Sequence, residues 1–407
     1  MKLSLSALSL LSFASLTLAG DWPQFRGPGA SGIGEEKGLP LSWGPTENVK
    51  WKTDLPGRSA ASPVVFGKKV YVTSATGIRL DRLHVLCLDA DTGKILWHRQ
   101  LTATGNTACH IKSSTAAPTP CVNADGVYCL FATADLVAYD HDGNLKWYRS
   151  LVGDYPAISN QVGMAASPIL VKDSLIVPMD SIGDSFLAAL DTKYGQNIWK
   201  TDRPKGINWV TPTLRTIGDK AEIVFSSSKD AIAYNSADGK KAWTLASMGS
   251  GTPTASMVGD QIVLPYGAGV VCLKPEGNEI KEVWKAPKLM SAYTSPVAYK
   301  DHVYGVSRAS TVTCVNLQTG KETWGDAARV GKGKGQIWAS PIANDGYIYT
   351  FDDAGICSVI QTGKPEGVIV SVNDLKAEIL GTPAIANGAL YIQTATGIYC
   401  IAKKNSK

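Results

Sequence analysis

A Ser/Thr-Pro dipeptide or its equivalent, followed by a short apolar run, recurs eight times along the 407 residues of the chain. The repeated prolines are Pro63, Pro120, Pro168, Pro212, Pro253, Pro296, Pro341 and Pro383. Successive prolines are 57, 48, 44, 41, 43, 45 and 42 residues apart. In each repeat a strand, a polar turn and a second strand follow the proline. This period and this order of strands predict an all-β repeat fold.

Two further strands, joined by a turn rich in Asp and Gly, complete nearly every unit. The clearest copy runs from Cys87 through Asp89, Thr92 and Gly93 to Trp97. Most other units repeat this spacing of a small residue, a turn glycine and a tryptophan, but the seventh unit lacks the tryptophan. Four strands per unit at this period predict the antiparallel blades of an eight-bladed β-propeller.

The two ends of the chain predict how the ring closes. After Pro383 the eighth unit supplies three strands, and its fourth strand is missing. Residues 49–55 form an orphan strand that carries Trp51. We therefore expect residues 49–55 to complete the last blade, which leaves no sheet edge open at the seam. The predicted organisation is a signal peptide over residues 1–19, an extension over residues 20–48 and a propeller over residues 49–407.

The compartment is predicted from the amino terminus. A short basic start at Met1-Lys2 is followed by an apolar stretch and then by Thr17-Leu18-Ala19, small residues of the kind that precede signal-peptidase cleavage. We expect cleavage near Ala19 and a periplasmic or secreted protein. Position 21 is Asp21 and not the cysteine of a lipoprotein box, so no lipid anchor is expected, and no later segment suits a transmembrane span. The net charge of +5 is too weak to indicate nucleic acid.

The motif Ala-x-Asp-x-x-Thr-Gly-Lys-x-x-Trp, seen at residues 87–97 with Cys87 and Ala90, resembles the tryptophan-docking motif of pyrroloquinoline quinone (PQQ) repeat propellers. That superfamily includes quinoprotein alcohol dehydrogenases and the assembly lipoprotein BamB. The resemblance implies that the motif tryptophans are core residues and that the small residue of each motif packs on a tryptophan of a neighbouring blade. It indicates the fold and leaves the activity open, because propellers carry many functions.

The eight cysteines divide into two groups. Four of them (Cys87, Cys272, Cys314 and Cys400) occupy the small-residue position of the motif, so we interpret them as small buried hydrophobes. Cys121 and Cys129 lie on adjacent predicted strands, which leaves a disulfide between them open. Cys109 and Cys357 remain unpaired by this reasoning.

Trp209 and Trp338 lie outside the docking motif, just before a blade-starting proline, which places them at one mouth of the central channel. Loops between fourth and first strands, and between second and third strands, form that face. Residues 74–84 and 103–117 are longer than the repeat requires, and such loops commonly carry function. The predicted partner-binding residues on these loops are Arg58, His110, Lys112, Asn160, Asp180, Asp184, Trp209, Tyr266, Arg308 and Trp338.

Several catalytic sites are not favoured by the sequence. No two cysteines are adjacent, the chain is short for a quinoprotein dehydrogenase, and the five histidines show no close pairing that indicates zinc. The run from Asp140 to Gly143 is interpreted as a blade turn, and the run from Gly331 to Gly335 as a flexible basic loop. We expect no metal and no cofactor. The preferred hypothesis is a non-catalytic scaffold for a protein or polysaccharide partner, and the alternative is a PQQ- and Ca²⁺-dependent alcohol or sugar dehydrogenase.

Overall fold

The structure is a computed structural model that describes residues 20–267, 269–277, 279–291, 293–325, 327–331 and 335–403. The predicted signal peptide and residues 332–334 of the glycine-lysine loop lie outside the described residues. Two strands come first in the chain, β1 (Ile33–Gly34) and β2 (Val49–Asp54). Neither forms a hairpin with the next strand along the chain, since both pair with strands near the carboxyl end.

The first four blades are antiparallel sheets of four consecutive strands each. Their strands are β3 (Val64–Phe66), β4 (Lys69–Thr76), β5 (Arg82–Asp89) and β6 (Ile95–Thr102); β7 (Cys121–Asn123), β8 (Gly126–Leu130), β9 (Asp135–Tyr139) and β10 (Leu145–Ser150); β11 (Ile169–Val171), β12 (Ser174–Met179), β13 (Phe186–Asp191) and β14 (Asn197–Asp202); β15 (Thr213–Ile217), β16 (Lys220–Ser226), β17 (Asp230–Asn235) and β18 (Lys241–Ala246). A single helical turn, α1 (Leu151–Asp154), follows blade two.

The other four blades repeat this plan. Their strands are β19 (Ser256–Val258), β20 (Gln261–Tyr266), β21 (Gly269–Glu276) and β22 (Glu279–Ala286); β23 (Val297–Tyr299), β24 (His302–Val306), β25 (Thr311–Asn316) and β26 (Ala328–Arg329); β27 (Ile342–Asn344), β28 (Tyr347–Phe351), β29 (Ile356–Gln361) and β30 (Val368–Asp374); β31 (Ala384–Ala386), β32 (Ala389–Gln393) and β33 (Gly397–Ile401). First strands of neighbouring blades contact one another, which places them around the central channel.

The ring closes as the sequence predicts. Strand β2 pairs antiparallel with β33, and Trp51 lies directly opposite Cys400. Blade eight therefore consists of β31, β32, β33 and β2. The eight-bladed all-β propeller and its closure by the N-terminal strand are both confirmed.

The tryptophan motif links one blade to the next at several junctions of the ring. The Trp51 indole donates a hydrogen bond to the Ala90 carbonyl oxygen (3.0 Å), and its ring covers Gly93. A Cβ added to Gly93 would lie 2.5 Å from that ring, so only glycine allows the contact. The same arrangement joins the pairs Trp97–Gly143, Trp147–Gly195, Trp199–Gly239 and Trp284–Gly320.

One detail of the motif differs from the expectation. The resemblance placed the small residue against a tryptophan of a neighbouring blade. In the structure Cys87 lies directly opposite Trp97 of its own blade, and Cys272 lies opposite Trp284 in the same way. The tryptophan ring itself contacts the turn glycine of the neighbouring blade.

Blade seven lacks the motif tryptophan, and the N-terminal extension supplies a substitute. In other blades a second-strand tyrosine packs against the blade tryptophan, as Tyr71 does against Trp97 with ring centroids 5.9 Å apart. In blade seven the equivalent Tyr349 stacks on Trp43, with centroids 6.3 Å apart. Trp43 is only 3% exposed, and its backbone N–H donates to the Asn373 side chain of β30.

The extension also circles once around the channel. Between residues 22 and 36 it contacts all eight blades. The contacts are Trp22 with Val65, Pro23 with Val122, Gln24 with Leu170, residues 28–30 with β15 and β19, Arg26 with Ser256 and Pro296, β1 with β27, and Glu36 with Gly388. Since most of these contacts lie on the innermost strands, the extension lies inside the channel, where Trp22 and Arg26 are buried.

All eight cysteines are free thiols, including Cys121 and Cys129, which the sequence left open as a disulfide pair. Both are fully buried, and burial raises the pKa of each thiol well above its usual value. We therefore interpret them, like Cys87 and Cys272, as apolar core residues.

Candidate functional site

A cavity of about 360 Å³ lies in the channel at the face formed by the fourth-to-first-strand loops. Phe25 of the N-terminal extension lines its inner end, and Trp209, Tyr293 and Trp338 line it at the loops. Its volume is within the range of about 300–1,000 Å³ that is usual for small-molecule pockets.

The wall of the cavity carries a belt of eight hydroxyl residues, one from each blade. They are Ser62, Thr119, Ser167, Thr211, Thr254, Ser295, Ser340 and Thr382. Seven bonds of 3.0 Å run around this belt, in each of which a backbone N–H donates to the hydroxyl oxygen of the next blade. The Ser62 hydroxyl, at the seam of the ring, is buried without a hydrogen-bond partner among the described residues. The belt therefore joins the blades and lines the cavity with polar groups.

Aromatic rings occupy the mouth, and their orientations are fixed by hydrogen bonds. The Trp209 indole donates to the Gly163 carbonyl oxygen (3.2 Å), and the Trp338 indole donates to Asp353 Oδ2 (3.2 Å). Trp338 also stacks on Tyr293, with centroids 4.6 Å apart and planes at 23°. Both tryptophans remain partly exposed, so each offers part of its ring to a ligand.

Residues 103–117, which we call the strap, cross the mouth from blades one and two toward blades seven and eight. His110 at its tip lies 6.1 Å from the Trp338 ring, measured between centroids. Lys112 forms ion pairs with Asp353 (3.0 Å) and Glu378 (2.9 Å). Hydrogen bonding to Glu378 and Asp353 raises the pKa of Lys112 and keeps it protonated. These contacts across the mouth explain why residues 103–117 are longer than the repeat requires.

Four of the ten predicted residues line the cavity: His110, Lys112, Trp209 and Trp338. Arg58 lies beside them, since its guanidinium contacts Glu378 (3.4 Å), the same carboxylate that binds Lys112. Arg308 is exposed on the rim and covers the Tyr293 ring at 4.8 Å.

The other predicted residues occupy different surroundings. Asp180 is buried in the wall, where its carboxylate accepts from Arg203 and Asn208. Asn160 is also buried and donates to the Asp180 carbonyl oxygen (3.3 Å). Asp184 is partly exposed at the blade-three loop, and Tyr266 packs at the edge of a core cluster in blade five. These four side chains lie outside the cavity lining described above.

Sequence reasoning missed three contributors to the cavity and its mouth. Phe25 comes from the extension, whose path had no repeat to indicate it. Glu378 is an ordinary loop carboxylate until the fold brings it to Lys112. The belt, in contrast, had a signal in the sequence: a Ser or Thr just before the blade-starting Pro in most of the units.

The prediction that no histidines pair closely is wrong. The His84 and His98 rings lie 2.9 Å apart between Nδ1 and Nε2, because β5 and β6 are neighbouring strands of blade one. His84 also contacts the Thr76 hydroxyl at 2.8 Å. Burial, with a contribution from His98, lowers the pKa of His84 to about 4. Across the described ranges no group of three or more His, Cys, Asp or Glu is placed to hold a metal ion.

This pair predicts a loss of stability in acid. The pKa of His84 is below its unfolded value of about 6.5, so between about pH 6.5 and pH 4 the unfolded chain binds a proton that the folded protein does not. The free energy of unfolding should fall by up to about 3 kcal/mol across this window. In urea unfolding, His84→Gln should lose less stability than the wild type between these pH values. His302→Gln, a variant of a histidine outside the pair, is the control, and equal acid sensitivity of all three proteins would contradict the prediction.

The lining residues do not fit PQQ, the cofactor of the dehydrogenases in this superfamily. The quinone carries three carboxylates, which need free cationic partners. Lys112 is the one lysine or arginine among the described lining residues, and two carboxylates already neutralise it.

The fold and the motif contacts define an eight-bladed propeller of the PQQ-repeat class. A sequence model of the family described as outer membrane protein assembly factor BamB matches residues 44–208, 157–326 and 282–407. These segments together span residues 44–407, so the chain belongs to this family. In its described part, no helix is long and apolar enough to cross a membrane.

Two curated proteins with significant similarity are both polyvinylalcohol dehydrogenases. The protein from a Pseudomonas species is 26% identical over 181 residues, which are 40% of this chain and 26% of the relative. The protein from Sphingopyxis sp. (strain 113P3) is 22% identical over 244 residues, which are 49% of this chain and 35% of the relative. The chain thus matches only about a quarter to a third of the length of these relatives.

Several solved structures share this fold. BamB from Moraxella catarrhalis aligns with a TM-score of 0.62 at 17% identity, covering 88% of this chain and 99% of that protein. A europium-containing methanol dehydrogenase aligns with a TM-score of 0.66 at 13% identity, covering 94% and 91%. The quinohemoprotein alcohol dehydrogenase of Comamonas testosteroni gives 0.66 at 10% identity, covering 97% and 82%. At these identities the similarity shows the fold alone.

Proposed function

We propose that this protein is an exported binding scaffold that holds a protein or polysaccharide partner of the cell envelope at the channel mouth. The observation that carries the proposal is the cavity between Trp209 and Trp338, open at the loops and bounded by Phe25. Membership of the BamB family supports a scaffold role, and the signal-peptide pattern of residues 1–19 supports export.

The mouth has the composition of a binding site. Exposed or partly exposed aromatic rings and arginines are enriched at interaction surfaces. Here Trp209, Trp338, Tyr293 and Arg308 cluster around one opening. The exposed tip of the strap adds Ile111, an apolar side chain that is 78% exposed. These features favour contact with a partner at this face.

The test is capture by the purified protein, beginning at residue 20, from an envelope extract of the source organism. The wild type is compared with the double variant Trp209→Ala/Trp338→Ala. Loss of two central aromatic anchors should reduce capture of any specific partner by at least about tenfold. The melting temperature should change little, because both rings are partly exposed. Equal capture by both proteins would show that the mouth is not the binding site.

The polyvinylalcohol dehydrogenase relatives motivate one alternative, a quinone-dependent dehydrogenase. That alternative expects the protein to bind PQQ with Ca²⁺ and to gain stability from it. Titration with both, followed by absorbance and melting temperature, separates the two hypotheses. A stoichiometric complex with a raised melting temperature would favour the dehydrogenase over the scaffold.

A further inference from the structure

We infer that the cavity binds the end of a neutral, hydroxyl-rich chain, a glycan built of uncharged sugars, which stacks against Trp209 and Trp338. This inference rests on the proposed function, and it identifies the ligand chemistry of the same site. Three features of the cavity carry it: the balance of charge, the aromatic rings at the mouth and the hydroxyl belt.

The charged groups where the strap meets blades seven and eight neutralise one another. Lys112 contacts Asp353 and Glu378, and Arg58 contacts Glu378, within distances of 2.9–3.4 Å. Two cations and two carboxylates form one cluster, so the cluster has no excess charge. An ionic ligand would have to break these pairs, whereas a neutral ligand leaves them intact. The cavity therefore favours an uncharged ligand.

The aromatic rings suit the flat faces of sugars. The C–H groups on one face of a pyranose ring form an apolar surface that packs on an aromatic ring. Trp209 and Trp338 are held in place by the Gly163 carbonyl oxygen and by Asp353, so little side-chain freedom is lost on binding. Because both indoles are fixed and partly exposed before a ligand binds, they are preorganised stacking surfaces.

The belt supplies the polar part of recognition. Seven belt oxygens accept a backbone N–H, and a hydroxyl that accepts one hydrogen bond retains its own hydrogen for donation. A purely apolar ligand would leave these hydroxyl groups without acceptors. Sugar hydroxyls act as both donors and acceptors, and a cavity of about 360 Å³ has room for a chain end but not for a folded partner.

The experiment is isothermal titration of the protein beginning at residue 20 with three oligomers of equal length: cellohexaose, maltohexaose and oligogalacturonate. We expect at least one neutral oligomer to bind, with an affinity that added salt does not weaken, because no charge pair forms. Trp338→Ala should weaken this binding at least about tenfold. Tyr194→Ala, which removes an exposed aromatic ring outside the cavity, should leave it unchanged.

Several results would overturn the inference. Tighter binding of oligogalacturonate with a steep salt dependence would show that the site selects charge. Absence of binding by both neutral oligomers, or binding that Trp338→Ala leaves intact, would reject a glycan in this cavity. If envelope capture still depended on Trp209 and Trp338 in that case, the scaffold proposal would stand with a protein partner. If capture did not depend on them either, both proposals would fail.

Discussion

Replacing Asp180 with alanine should lower the free energy of unfolding by about 3–5 kcal/mol. The carboxylate pairs with the Arg203 guanidinium through two contacts, Nε to Oδ1 at 2.7 Å and Nη2 to Oδ2 at 3.1 Å. Both side chains are almost fully buried, at 3% and 1% exposure. Without the carboxylate, a buried cation would remain without a counter-charge, and that is more costly than the loss of one hydrogen bond.

Chemical denaturation of matched variants tests this prediction. Asp202→Ala removes a carboxylate that is 83% exposed and paired with Lys200, so it should cost less than about 1 kcal/mol. Asp180→Leu combined with Arg203→Met should recover most of the loss, because it removes both charges at once. A cost below about 1 kcal/mol for Asp180→Ala would show that the pair is not needed to compensate Arg203.

Removing the N-terminal extension should have a larger effect. A chain that begins at residue 44 retains β2 and a closed ring, but it lacks Trp22 and Trp43, which are 1% and 3% exposed. Truncating one buried tryptophan costs about 3–5 kcal/mol, so the loss should exceed about 5 kcal/mol. The β-sheet content should be retained, because every propeller strand except β1 is still present.

A second truncation separates packing from ring closure. A chain that begins at residue 56 also loses β2 and Trp51, which opens the edge of β33. It should show no cooperative thermal transition and should aggregate through that edge. Circular dichroism and thermal unfolding of both chains, compared with the chain from residue 20, measure these effects. Equal stability of the chains from residues 20 and 44 would contradict a structural role for the extension.

The closed propeller could be predicted from the sequence. Each blade is a local unit whose strands pair with their sequence neighbours, so periodic prolines, turn glycines and tryptophans indicated nearly all of it. Trp51 was assigned to the last blade because that unit lacked a strand. The positions of Trp209 and Trp338 at the mouth followed from the same repeat, since a repeat assigns each loop to one face.

The charged and strap residues were only partly predictable. Asp180 and Asp353 both follow a second strand and look equivalent in sequence, yet one lies buried against Arg203 and the other binds Trp338 and Lys112. The difference depends on long-range contacts, such as the ion pair between Lys112 and Asp353, that no local pattern encodes.

Sequence alone determined the blade count, the closure of the ring and the face that carries the loops, because those features repeat at short range. Tertiary structure decided how the extension runs around the channel, how Trp43 completes blade seven and how the strap crosses the mouth. These segments have no period, and their positions depend on side chains that are distant in the chain and meet only when the ring is closed. The cavity floor at Phe25 belongs to this second group, so the channel mouth could be located from sequence but the shape of the cavity could not.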